Sequence, residues 1–296
     1  MEAAMEKKNI EVQAINRQTI GQRLKSYKRS PLSLLLLILV SVSALLTVMT
    51  LLFLIAYILI KGIPYLTPSL FAWEYTTENV SLMPALVNTV IMTGLSLLIA
   101  VPLGIFAAIY LVEYAKRGNR LVSIVRITAE TLTGIPSIVY GLFGFLLFVV
   151  ALGWSYTILG GAMTLAIMIL PTIMRTTEEA LKAVPDSYRE GSFGLGAGRL
   201  RTVFQVVLPS AVPGILAGII LAVGRIVGET AALMYTAGTV AGIPSNLFGS
   251  GRTLALHMYV LSCEGLHMNQ AAATAVIILL FVMLINWLSG RVAKRI

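Results

Sequence analysis

Arg225 and Glu229 are the two residues whose types and spacing most invite a chemical reading. They stand four apart in the otherwise uncharged run Val-Gly-Arg-Ile-Val-Gly-Glu-Thr-Ala-Ala-Leu. On a continuous helix that spacing puts both on one face, where they can pair. An arginine at the centre of an apolar span costs about 2.5–3.5 kcal/mol on insertion scales, so its presence asks for a partner or a task. Guanidinium offers a planar fork of donors that meets two oxygens at once, which suits a tetrahedral oxyanion, and the glutamate neutralises it when no anion is present. The competing reading is a structural ion pair that fixes the packing of two subunits. Counted from Pro209, Arg225 lies on the order of 24 Å along the helix axis, past the midplane, where a solute from the far side would reach it first. A second i, i+4 pair, Arg126 and Glu130, falls near the end of another apolar run, shallow enough for its head groups to reach water, and reads as structural.

The elements that must position these residues follow from the distribution of charge. The 296 residues are 57% hydrophobic and 12% charged, whereas a soluble domain is nearer a quarter charged. The charges gather into short clusters between long uncharged runs. At about 20 apolar residues per span, those runs give helices near 34–60, 85–111, 124–150, 157–174, 207–234 and 271–289. A tight turn at Gly153-Trp154-Ser155 separates the third from the fourth. Lysine and arginine accumulate in short cytoplasmic loops, and nineteen of the 22 fall on one face of this arrangement. Lys61 and Arg252 fall on the other face and Arg225 within a span. The expected fold is therefore all-α and polytopic, with about six transmembrane helices and both termini cytoplasmic.

The expected organisation is a cytoplasmic tail over 1–30, a transmembrane domain over 31–290 with a cytoplasmic segment at 175–205, and a cytoplasmic end over 291–296. About thirty polar residues precede the first apolar run, so no removable signal is read there. Two segments on the opposite face, 61–83 and 235–270, are long enough to carry structure. The second has an apolar stretch from Thr253 to Leu261 that suits a short interfacial or re-entrant helix.

Other classes are excluded on chemical grounds. A net charge of +9 without a polar scaffold or recognition element does not make a nucleic-acid binder. Cys263 is the only cysteine, which rules out an intrachain disulfide and paired-cysteine metal motifs. His257 and His267 lack metal-ligand spacing, and neither metal nor cofactor is expected. No G-x-x-x-x-G-K-[ST] run occurs, so the chain does not bind and hydrolyse ATP alone. Arg225 and Glu229 are too few deep groups for a membrane enzyme. Trp73, Trp154 and Trp287 lie near span ends, where amphipathic rings settle.

Residues 175–205 read as helix punctuated by glycine. Thr176 or Thr177 can cap a short helix with Glu178 and Glu179 in its first turn. Pro185 ends or bends it, and Asp186 or Ser187 caps a second helix from Tyr188 to about Leu195. Within this segment Glu190-Gly191-Ser192 is followed by Gly196, Val206 and Leu208-Pro209 at spacings that resemble the EAA loop of ABC importer permeases. The departures from that pattern, Gly191, Ser192 and Val206, are modest changes in size.

The resemblance implies the type I importer permease fold, with this segment as a coupling helix docked on a separate ATPase. A rigid helix between glycine hinges can turn a partner's motion into a tilt of the adjoining spans, a task that an ungated anion channel would leave without purpose. The run around Arg225 and Glu229, with Thr133-Gly-Ile-Pro-Ser-Ile-Val-Tyr-Gly141, resembles the PstA-type permease subunits of bacterial phosphate-specific ABC transporters. That resemblance implies an inner-membrane transport subunit rather than an enzyme. It further implies Arg225 and Glu229 in a phosphate pathway, a second permease making a heterodimer, two ATP-binding subunits and an external phosphate-binding protein. A permease for another oxyanion, phosphonate or sulfate, is the alternative. Gly134, Pro136 and Gly141 also have a physical reading, since small residues let helices approach and proline frees a carbonyl that can line a cavity.

Overall fold

The computed structural model describes residues 31–293 apart from Arg117. The basic residues expected in the amino-terminal tail, with Arg117, Lys294 and Arg295, lie outside the described residues. The described residues up to Tyr57 form one compact unit and those from Ile58 onward the other. The first described element, α1 (Pro31–Gly62), is an uncharged apolar helix until Lys61.

In the second unit, α2 spans Met83–Ile109 and continues as a π-helical turn over Tyr110–Tyr114. Helix α3 (Arg120–Thr133) starts where the Asn119 side chain accepts from the Leu121 amide at 3.0 Å. It is followed by α4 (Ser137–Gly144), a π-helical stretch Phe145–Ala151, and α5 (Ile158–Ala183), capped by the Thr157 hydroxyl. The short helix α6 (Asp186–Gly194) leads through α7 (Arg199–Thr202) and a third π-helical turn, Val203–Val207, into α8 (Leu208–Val227). The last helices are α9 (Ala231–Thr236), α10 (Leu254–Glu264) and α11 (Met268–Ala293). No strand occurs among the described residues.

Among the described residues five helices are long and apolar enough to cross a membrane, and a bent pair raises the number to six. That pair covers the third span expected near 124–150 and breaks it in two. Helices α3 and α4 meet at 104° across Gly134-Ile135-Pro136. Proline disfavours helical backbone at the residue before it, and Pro136 instead starts α4 with no N–H to lose. The turn expected at Gly153-Trp154-Ser155 is present, with left-handed φ at Gly153 (65°) and Ser155 (61°). The helix expected between Thr253 and Leu261 is α10.

Two further corrections concern the 175–205 segment. No helix starts at Thr176 or Thr177, because α5 runs unbroken to Ala183 and the Thr176 hydroxyl donates back to the Thr172 carbonyl at 2.9 Å. Glu178 and Glu179 therefore lie on the last turns of a long helix. Helix α6 does end the proline break as expected, but Pro185 occupies its cap position and neither Asp186 nor Ser187 makes a capping side-chain bond.

The core is made by close helix crossings. Ser96 of α2 donates to the Ala162 carbonyl of α5 at 3.0 Å. A side chain at Gly104 would meet Ile173 at 2.8 Å, and one at Gly214 would meet Ala180 at 2.7 Å. Gly141 lies so close to the α9 backbone that a Cβ would stand 2.8 Å from Ala232 Cα, which bears out its small-residue reading; Gly134 makes no comparable approach. Buried Met92, Leu165, Met168, Ile169 and Ile226 fill one cluster. Leu181, Val184, Val203 and Val207 fill another at the end of the bundle that carries α6.

Candidate functional site: a cationic cavity and a docked platform

Arg225 lies in the last turn of α8, half-buried, on the wall of an open cavity of about 830 Å³. Thr133, Thr172, Arg175, Thr176, Glu179 and Asn286 supply the rest of its polar lining, so four helices, α3, α5, α8 and α11, contribute. The crossing of α5 and α8 fixes where it opens. Gly218 lies directly over Thr176 and Gly214 over Ala180, so Arg175 and Glu179 stand nearer the α6 end than Arg225 does. Side chains on a helix also lean toward its amino terminus, here toward that same end. The cavity thus extends from Arg225 toward α6.

The expected Arg225–Glu229 pair does not form. Helix α8 stops at Val227, Gly228 follows, and the i, i+4 relation is lost in the break before α9. Glu229 is 7% exposed and its Oε1 accepts from the Ala232 amide at 3.1 Å, serving the first turn of α9. A carboxylate there is favoured by the free N–H groups at a helix start. Arg225 has no carboxylate within 4.0 Å among the described residues, while Arg175 is held by Glu179 at 3.1 Å. Among the described residues two guanidiniums and one carboxylate line the cavity, and its positive charge is that of the unpaired Arg225.

The Arg126–Glu130 pair is likewise replaced by contacts between helices. Arg126 reaches Glu178 of α5 at 2.7 Å, and Glu130 stands 3.7 Å from Arg175.

Around α6 the motif residues take distinct places. Glu190 and Gly191 are exposed on the helix, and Ser192 shares a 2.9 Å hydrogen bond with Thr202 of α7. Gly196 has φ +84°, the left-handed conformation that ends a helix most easily with glycine. There the Gly196 amide donates to Phe193 and the Ala197 amide to Ser192, closing the carbonyls of the last turn. Val206 lies in the third π-helical turn, Leu208 begins α8, and Pro209 follows it, its missing N–H falling where the π-helical turn passes into α-helix. Tyr188, Phe193 and Leu195 are exposed, Leu195 at 92%.

Sequence reasoning missed what holds α6 in place. Arg189 donates to both oxygens of Glu113, the nearest at 2.7 Å, and to the carbonyls of Val184 and Leu181 at 2.8 and 2.9 Å. One guanidinium thereby closes the end of α5, anchors α6, and ties both to the π-helical turn after α2. Nothing in the local pattern announces a partner 76 residues away.

A second missed cluster lies at the opposite end. Arg252 is 4% exposed, and its guanidinium sits 4.8 Å from the centre of the Tyr75 ring. Its Nε and Nη2, and both ring nitrogens of His257, have no protein partner among the described residues. Burial, reinforced by the Arg252 charge, lowers the His257 pKa to about 3. Asn88 of α2 bridges the Gly242 and Arg252 carbonyls at 3.1 and 3.3 Å, pinning the glycine-rich loop over the span ends.

A bundle whose spans enclose a cationic cavity and carry a clamped helical platform at one end is the architecture of an importer's membrane subunit. Residues 100–296 match the family model described as "Binding-protein-dependent transport system inner membrane component", and the chain belongs to that family. It is 35% identical over 270 residues to the probable ABC transporter permease protein YqgI of Bacillus subtilis, covering 82% of this chain and 90% of that one. It is 33% identical over 274 residues to the phosphate transport system permease protein PstA of Haemophilus influenzae, covering 90% and 95%. Among solved structures, a bacterial alginate ABC transporter in complex with an alginate-bound periplasmic protein matches with a TM-score of 0.65 at 17% identity, covering 91% of this chain and 98% of that one. The inward-facing MetNI methionine transporter matches at 0.55 and 21%, covering 71% and 91%. These last likenesses define the fold. The chain is a multi-pass inner-membrane permease component, not an enzyme.

Proposed function

We propose that the chain is the transmembrane permease subunit of an ATP-driven importer of inorganic phosphate. The observation that carries the reading is Arg225, a guanidinium without a carboxylate partner among the described residues, on the wall of a cavity shared by several spans. The names of the relatives, several of them phosphate transport system permeases, support the choice of anion. In this reading a related permease completes the pathway as a heterodimer, two ATP-binding subunits sit on the cytoplasmic side against α6, and an extracytoplasmic binding protein delivers phosphate. Both termini lie in the cytoplasm.

Closure of the ATPase pair pushes on the exposed apolar side chains of α6. The Arg189–Glu113 clamp passes that push to the end of α2, and the Ser192–Thr202 bond passes it to the entry of α8. Helices α5 and α8 line the cavity, so moving them changes the side from which Arg225 is reached, the logic of alternating access. Arg225 stabilises the passing anion by charge and paired donors. Its exposure to the cavity keeps it solvated, so that binding is weak enough to allow release. Glu229 supports the break that exposes Arg225 and acts on the pathway through the start of α9.

The test is ATP-dependent phosphate uptake by vesicles carrying the reconstituted complex, with wild type compared with Arg225→Gln and sulfate as competitor. Uptake that sulfate does not inhibit, lowered about tenfold or more by the substitution with assembly intact, is expected for the loss of one charge-assisted contact. Unchanged uptake, or loss of assembly, returns Arg225 to a packing role. Transport of sulfate or a phosphonate in place of phosphate would favour the alternative substrate.

A further inference from the structure

At the α6 end, separate from the Arg225 cavity, lies a second open cavity of about 740 Å³ between the π-helical turn after α2, the start of α3 and the junction of α5 with α6. Among the described residues five basic side chains line it: Lys116, Arg120, Arg126, Lys182 and Arg189. Its own carboxylates, Glu113 and Asp186, are both engaged by Arg189, at 2.7 and 3.3 Å. Arg126 and Lys182 share one oxygen of Glu178. Lys116 and Arg120 are exposed and have no described carboxylate within 4.0 Å. The cavity carries excess positive charge, and the amino-terminal end of the α3 dipole adds to it.

A row of exposed apolar side chains runs away from this cavity along α3: Leu121 at 65%, Ile124 at 61% and Ile127 at 61%. The cavity lies where α2 leaves its uncharged run, the point at which the charge pattern puts the polar boundary of a bilayer. We propose that the cavity binds the anionic phosphate headgroup of a membrane phospholipid, with the acyl chains lying along Leu121, Ile124 and Ile127. A basic pocket at a span end answers the headgroup, and an apolar helix face beside it answers the tails. A free anion would have no use for the apolar row. Because Arg189 and Asp186 belong both to this cavity and to the α6 anchor, an occupying headgroup would brace α3 against the platform.

The proposal rests on the chain spanning a bilayer and is independent of the anion transported. The assembled transporter, ATPase subunits included, is exchanged into nanodiscs of mixed phosphatidylglycerol and phosphatidylcholine, and retained lipid is measured by native mass spectrometry. Wild type should retain phosphatidylglycerol selectively. A K116Q/R120Q double variant, which leaves Arg225 and the α6 anchor untouched, should lose that selectivity roughly 25-fold, about fivefold for each charge removed. A K116R/R120K variant should keep it. Equal retention by wild type and the double variant overturns the proposal. Displacement of the lipid by millimolar inorganic phosphate assigns the cavity to a free anion and also overturns it. So does protection of Arg120 from modification that depends on the ATPase subunits and not on lipid, which points to an acidic partner residue. Should phosphate prove the wrong substrate, lipid retention is unaffected, so the two readings fail separately.

Discussion

Replacing Glu113 by glutamine tests whether the single arginine under α6 is what transmits motion to the spans. The pair is sheltered, with side-chain exposures of 14% for Arg189 and 9% for Glu113, so it lies between a surface ion pair and a fully buried one. Glutamine keeps the size but offers one acceptor in place of two and turns an amide N–H₂ toward the guanidinium. Loss of a charge-assisted pair in this setting costs about 2 kcal/mol, roughly a 30-fold change in the balance between docked and undocked α6. The carbonyl bonds from Arg189 to Leu181 and Val184 remain, so the chain still folds. Hydrogen exchange at the α6 amides of the reconstituted complex should speed up roughly 30-fold, and the ratio of phosphate taken up to ATP hydrolysed should fall. Exchange within twofold of wild type, with an unchanged transport ratio, would refute the clamp as the transmitting contact.

Gly218 and Gly224 stand nearly two turns apart on α8 yet should answer differently to alanine. A Cβ at Gly218 collides with Thr176, while one at Gly224 meets nothing within 4 Å, so Gly218→Ala should cost about 1–3 kcal/mol and lower the thermal midpoint of the complex, with Gly224→Ala near neutral. At Gly196 the space around a Cβ is open, and the penalty of about 1–2 kcal/mol comes from holding an L-residue at φ +84°; Gly196→Val should therefore uncouple hydrolysis from uptake while membrane insertion is kept, and normal coupled uptake would count against the platform. His257 is neutral in the folded chain with its pKa lowered to about 3. Its contribution is therefore complete above the unfolded value near 6.5 and lost as pH falls toward 3, about 2 kcal/mol by pH 5. Acid unfolding of His257→Gln should show a shallower loss between pH 6.5 and 5, and identical pH profiles would remove His257 as the cause.

The spans were legible because charge is so expensive in a bilayer that its absence over a run is itself the signal. The same reasoning found the α10 helix, the turn at Gly153-Trp154-Ser155 and the platform motif. It failed where the answer depends on what packs beside a helix. Arg126 and Glu130 have ideal local spacing, yet α3 lies against α5, so Glu178 and Arg175 offer better partners across the interface. Thr176 has the right chemistry for a cap, but the long helix continues because Gly218 accepts its side chain from α8 and its hydroxyl is satisfied within its own helix. The break after Val227 had a visible cue in Gly228, outweighed by the apolar continuity that suggested one span to 234. Arg189 carried no cue at all, since its partner lies 76 residues earlier.

Two of the three π-helical turns, Tyr110–Tyr114 and Val203–Val207, stand at the entries of the spans that frame α6. Each holds one residue more than the α-helix around it would, so each is a place where the chain can change length by a single residue without breaking a helix. Removing that residue would restore ordinary winding while leaving the helix beyond it in nearly the same phase, because the wide turn already absorbs the extra residue. Among related permeases, a one-residue gap at either turn should therefore leave the same side chains facing the cavity from the same platform. Length variation at these two points is absorbed where it arises and need not reach the cavity.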